Sequence, residues 1–129
     1  MTHEFRYDTS RTLTRKVNIL PDETGHPAIG EIELGAIFAA LADPLRRQVV
    51  LTLAATPDEI RHCGSFDLPV TKATRTHHFR VLRESGLIRQ VDLGNRRTNQ
   101  LRLAELQTRF PALADLLLAE AANINSAPA

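Results

Sequence analysis

Between residues 71 and 102 the chain places Lys72, Arg75, Arg80, Arg83, Arg89, Arg96, Arg97 and Arg102 against only Glu84 and Asp92, eight cations to two acids, a net of +6. Ammonium and guanidinium groups at that density bind phosphate through charge-assisted hydrogen bonds and release counterions as they do so. Residues 21–70 run the other way, three cations to eight acids, a net of −5, so the whole-chain charge of +1 conceals a strong asymmetry. A basic block bounded by acidic segments suits a surface that meets a polyanion, although charge runs are more often a solvated face, and charge alone leaves both readings open. A second chemistry is offered by His62-Cys63-Gly64, the chain's one thiol beside an imidazole. No nucleophile motif, phosphate-cradling glycine loop or metal-ligand spacing stands in the sequence, so an enzyme is not expected, nor a cofactor or a metal.

The elements that must position these groups follow from periodicity. Leu34, Ile37, Phe38 and Leu41 recur at i, i+3, i+4, i+7 and predict a helix with one apolar face, ending near Ala42. Asp43-Pro44 then supplies an N-cap and a first-turn proline for a second helix over 45–54, burying Leu45, Val49 and Leu53 with Val50 on its flank. A short third helix is expected over 63–68, weakened by Gly64 and stopped at Pro69. Thr71 caps a fourth over 72–85, with Phe79 and Leu82 inward and Gly86 at its C-terminal stop. The period then becomes two: 88–92 and 98–103 flank Leu93-Gly94-Asn95-Arg96-Arg97 as a β-hairpin. A last helical stretch over 104–123 carries Leu106, Phe110, Leu113, Leu116 and Leu117 on one side, with Pro111 kinking or splitting it. The division expected is an arm over 1–30, one domain over 31–123 and a frayed tail over 124–129.

Two helices joined by a tight turn and followed by a basic hairpin make a winged helix-turn-helix, mainly α with a small β-hairpin. A helix of about 14 residues is roughly 20 Å long and enters a major groove about 12 Å wide. With Phe79 and Leu82 inward, 100° per residue turns Ala73, His77, Arg80 and Glu84 outward, with Thr74 and Val81 beside them. Lys72 lies in the first turn, where recognition helices meet base edges, the cap residue Thr71 beside it is grouped with the contact candidates, and the small Ala73 permits close approach. The same wheel turns Arg75 inward, leaving it either to snorkel outward or to pair with an acid. Arg96 and Arg97 beside Gly94-Asn95 form a basic tip suited to phosphate or a narrow minor groove. His78, part-way to the core, reads as a packed histidine bonded to backbone, and His77 as the better contact candidate.

Ala39-Ala-Leu-Ala-Asp-Pro-Leu-Arg-Arg-Gln-Val-Val50, then Thr71-Lys-Ala-Thr-Arg-Thr-His-His-Phe-Arg-Val-Leu-Arg-Glu-Ser-Gly-Leu-Ile88, then Gly94-Asn-Arg-Arg97 resemble the ArsR/SmtB-type bacterial regulators over about residues 31–120. The resemblance implies a winged-helix homodimer, usually a repressor that leaves its palindromic operator in double-stranded DNA when a small molecule binds or a thiol is oxidised. It also implies a dimer interface of first and last helices, to which Ile37, Leu41, Leu113, Leu116 and Leu117 would contribute, although some of these must serve the core. The chain departs from the metal-sensing members: one cysteine cannot make their Cys-x-Cys pair, and the last helix has Asp115 and Glu120 but no histidine. Adjacent His77 and His78 diverge by about 100° and make a poor chelate, and nothing supports a site from Met1, His3 and His26 in the arm. Cys63 at a helix start beside His62 would be a redox candidate, against the commoner role of a small buried side chain. A lone cysteine, no apolar signal-peptide core and no span of about 18 apolar residues lead to the expectation of a cytoplasmic protein away from membranes. The competing expectation is a winged-helix module whose basic block meets an acidic protein.

Overall fold

A computed structural model describes residues 24–126. The expected features over 1–23 and 127–129, including Met1 and His3, lie outside the described residues. Among the described residues, five α-helices and three short strands follow in the order α1 (Leu34–Ala42), α2 (Pro44–Ala55), β1 (Arg61–His62), α3 (Lys72–Glu84), β2 (Ile88–Asp92), β3 (Arg97–Leu101), α4 (Leu103–Arg109) and α5 (Pro111–Ser126). No helix among the described residues is long and apolar enough to cross a membrane.

The break between α1 and α2 is made by Asp43, whose carboxylate accepts from the backbone N–H groups of Leu45 and Arg46, both at 3.0 Å, with Pro44 at the first helical position. The Arg46 N–H holds the Asp43 carboxyl below its usual range. Val49, Val50, Leu53 and Ala54 of α2 are buried. On α1 the expected single face divides: Ile37 and Ala40 are buried, whereas Leu34 and Phe38 are exposed.

Residues 61–68 correct the expected third helix. Arg61 and His62 form β1, pairing antiparallel with Asn99 and Thr98 of β3, and Cys63–Ser65 is a single 3-10 turn. Phe66 and Leu68 are both buried. That two-residue spacing is extended, and an edge pairing with a strand more than thirty residues downstream overrides the weak local helix signal. The sheet order is β1-β3-β2, and β2 and β3 pair from Ile88↔Leu101 to Asp92↔Arg97.

Helix α3 is bounded as its sequence dictates. Thr71 Oγ1 accepts from Thr74 N–H at 3.1 Å. At the other end Gly86 N–H donates to Arg83 O and Leu87 N–H to Leu82 O, the paired bonds of a Schellman stop. Gly86 has φ +89°, and a Cβ there would lie 2.7 Å from Ile32 Cγ1, so both backbone and neighbour demand glycine. Pro111 splits the last helical stretch into α4 and α5 after Phe110, and α5 buries Ala114, Leu117 and Ala121 against the core.

Residues 24–30, assigned to the arm by sequence, are docked on this frame. His26 Nε2 accepts from Gln90 N–H at 2.9 Å, Pro27 O from Arg102 Nη1 at 2.8 Å, and Ile29 O from Arg109 Nη1 at 2.6 Å. Arg102 is buried and also forks onto Glu105, whose carboxyl it holds below the usual range.

Candidate nucleic-acid interface

The first turn of α3 and the hairpin tip face one another across an open cleft of about 350 Å³. Lys72, Arg75, Arg96 and Arg97 line it together with Thr76, and Asp92 is its one acid. Asp92 serves the hairpin itself: it accepts from Gly94 N–H at 2.9 Å and lies 3.7 Å from Arg97. Gly94 has φ +92°, which lets the chain reverse and present Asn95 and Arg96 at the tip.

The outward face of α3 matches its helical wheel. Ala73, Thr74, His77, Arg80 and Glu84 are exposed, and Phe79 and Leu82 are buried. His77 Nδ1 lies 3.4 Å from an Arg80 Nη. Thr71 acts as the cap, its hydroxyl also donating to Thr74 Oγ1. Arg75 is the informative exception. The wheel turned it inward, but it is half-buried and looks across at the hairpin, so the inward side of this turn is cleft rather than core.

The basic block is therefore not one surface. Arg102 is buried in its fork with Glu105, Arg83 donates to Gln90 Oε1 at 2.7 Å, and Arg89 sits 3.5 Å from Glu105. Lys72, Arg75, Arg80, Arg96 and Arg97 are the cations it leaves on the helix and hairpin.

His78 is buried as expected, but its described partner is a side chain rather than backbone. Arg46 Nη1 reaches His78 Nδ1 at 3.2 Å while Arg46 Nε donates to Ala40 O at 2.9 Å. One guanidinium thus ties the carbonyl end of α1 to the middle of α3, fixing the presentation of the outward face. Cys63 does not begin an α-helix, which removes the helix-dipole part of the redox expectation. Its half-buried sulfur accepts from Asn99 Nδ2 at 3.2 Å and Gln90 Nε2 at 3.5 Å. Beneath the cleft, Gln90 Nε2 also donates to Asn99 Oδ1 at 3.0 Å, and Asn99 Nδ2 to Arg61 O at 3.2 Å. Sequence reasoning overlooked this polar layer. The signal was there: period two puts Gln90 on the face of Ile88, and Asn99 on that of Leu101. Among the described residues no three His, Cys, Asp or Glu side chains gather as a metal site.

Of the five leucines and isoleucines expected at an interface between copies, Ile37 and Leu117 are buried in this chain's own core. Leu41 and Leu113 pack partly against it, and Leu116 is 60% exposed.

Five helices, a three-stranded antiparallel sheet and a recognition helix facing a basic hairpin define a winged helix-turn-helix. Among solved structures the chain is similar to one described as an ArsR family transcriptional regulator, at 27% identity and a TM-score of 0.51, over 74% of this chain and 98% of that one. It is also similar to an ArsR-like transcriptional regulator from Rhodococcus sp. RHA1, at 27% identity and a TM-score of 0.44, over 74% and 94% of the two chains. No protein-family model and no curated protein matches the chain. The first likeness supports a regulator of the ArsR type.

Proposed function

We propose that the protein is a sequence-specific DNA-binding transcriptional regulator, a homodimeric repressor that lays α3 in the major groove and places the β2–β3 hairpin as a wing on the flanking backbone. The observation that carries this reading is the convergence of Lys72, Arg75, Arg96 and Arg97 on one cleft from two separate elements. The outward Thr74, His77 and Arg80 then face base edges, and a palindromic site would repeat its half-sites about one helical turn apart. Cycles of selection from a random duplex pool test it: a common site should emerge, bound with affinity that falls steeply with salt. Equal binding to selected and unselected duplexes at moderate salt would defeat the proposal. Arg96→Ala should weaken every duplex alike, whereas Lys72→Ala or His77→Ala should also blur the preference among sites, as read by competition binding.

The dimer rests on apolar side chains that the single chain leaves in water. Leu34 and Phe38, one turn apart on α1, are 41% and 57% exposed, and Leu116 of α5 is 60% exposed. A second copy covering them would appear in sedimentation equilibrium as twice the chain mass, and Phe38→Glu should return it to one.

A further inference from the structure

A second cavity, of about 360 Å³, opens between α2 and the C-terminal part of α5, away from the basic cleft. Its wall is apolar along Leu51, Ala55, Ala121 and Ile124, and Ile124 is 56% exposed at its rim. Its charged members are Arg47 and Arg61, and no Asp or Glu lines it. The two arginines differ. Arg47 Nη1 is occupied, donating to Leu41 O at 2.8 Å and so closing the end of α1. Arg61 has no carboxylate partner among the described residues, its Nε is buried without a hydrogen-bond acceptor, and its guanidinium lies 5.0 Å from the centroid of the Phe66 ring. A half-buried cation that an aromatic face only partly compensates, with an unsatisfied N–H, is costly to the free protein. An incoming carboxylate would compensate the charge by a charge-assisted bond to the part of the guanidinium that lines the cavity.

We propose that this cavity binds a small amphipathic monoanion, an aryl- or alkyl-carboxylate. Arg61 holds the carboxylate, and Leu51, Ala55, Ala121 and Ile124 take the apolar body. The lining decides the class. An inorganic anion would leave the apolar wall wet, a neutral hydrophobe would leave Arg61 uncompensated, and the cavity offers no aromatic face on which a base could stack. Its size suits a ligand of about a dozen heavy atoms. Arg61 also joins the site to the hairpin. The residue pairs with Asn99 of β3, and its carbonyl accepts from the Asn99 side chain, so a ligand that moves Arg61 pulls on the layer beneath the basic cleft.

The test uses the intact chain, 4-phenylbutyrate and its neutral counterpart 4-phenyl-1-butanol, followed by 1H–15N NMR titration. Phenylbutyrate should shift Leu51, Ala55, Arg61, Ala121 and Ile124, then Thr98 and Asn99, and the alcohol should bind at least about fivefold more weakly. Arg61→Gln should reduce the acid to the affinity of the alcohol, and Arg61→Lys should keep part of the difference. Ala55→Leu, which fills the cavity and leaves the cation in place, should abolish binding of both. Equal affinities for acid and alcohol, or shifts confined to Lys72, Arg75, Arg96 and Arg97, overturn the site. Cavity signals that move on diluting the protein alone, while those of Leu34, Phe38 and Leu116 stay fixed, overturn it in favour of a second copy seated on the cavity. Shifts that stop short of Thr98 and Asn99 overturn the link to the hairpin. None of these readouts involves DNA, so failure here and failure of the regulator reading are separate results.

Discussion

The variant carrying Lys72→Gln, Arg75→Gln, Arg96→Gln and Arg97→Gln together is expected to lose at least about 10³-fold in affinity for its duplex site. Each change deletes a charge-assisted contact worth about 1.5–3 kcal/mol where it reaches a phosphate. The slope of log affinity against log salt should flatten by up to about four per protomer, close to one released counterion for each of these side chains that lies on a phosphate. Folding should be unharmed. All four side chains border an open cleft, and the one ion pair broken, Arg97 with Asp92 at 3.7 Å on an exposed turn, contributes little. Removing four like charges from one cleft also relieves their mutual repulsion, so the melting temperature should hold or rise. Arg89→Gln is the matched control. Arg89 belongs to the same basic run but sits on the exposed side of β2 beside Glu105, outside the cleft. Its loss should change affinity by less than about threefold, the weak long-range effect of one screened charge. If Arg89→Gln weakens binding as much per charge as the cleft substitutions do, binding tracks net charge and the cleft has no special part.

That contrast shows what a charge count along a chain can and cannot say. The sequence singles out residues 71–102 by charge, but its count includes Arg102, which the structure buries beneath Pro27 O and Glu105. It also doubts Arg75, which the structure turns to the hairpin. Neither outcome is local. Arg102 is buried because residues 26–32 cross over it, and Arg75 faces a cleft because a hairpin some twenty residues away supplies the other wall. The parts that were legible are those decided within a turn or two: the Asp43-Pro44 start, the Thr71 cap, the Gly86 stop and the Gly94 reversal. β1 was not legible, because two residues become a strand only when Asn99 and Thr98 are there to pair with. The apolar spacing on α1 was legible as a helix, but not in its allocation. Ile37 faces the core and Phe38 faces water because of where α2 and α3 lie, which the period alone does not encode.

The layer beneath the cleft should control whether the hairpin is held at all, and Asn99→Leu should cost about 3 kcal/mol of stability. Asn99 is completely buried, and both ends of its amide are used, the oxygen by Gln90 Nε2 and the nitrogen by Arg61 O and Cys63 Sγ. Leucine has the same branched outline and is larger, so the loss is not a cavity. It is the desolvation of partners left buried with fewer bonds, the expensive side of a buried hydrogen bond. For a domain of this size the melting temperature should fall by about 10–20 °C in a thermal scan. Pairing it with Gln90→Leu separates polar satisfaction from shape. Removing both partners should recover part of the loss, because the orphaned amide is gone. Recovery should stay incomplete, since Gln90 Oε1 is also the acceptor for Arg83 Nη1, and Arg83 Nε already lacks a partner among the described residues. Full additivity of the two single losses would mean that the two amides do not act as a unit, and the hairpin would then be held by its strand ladder and the Ile88 and Leu101 side chains alone.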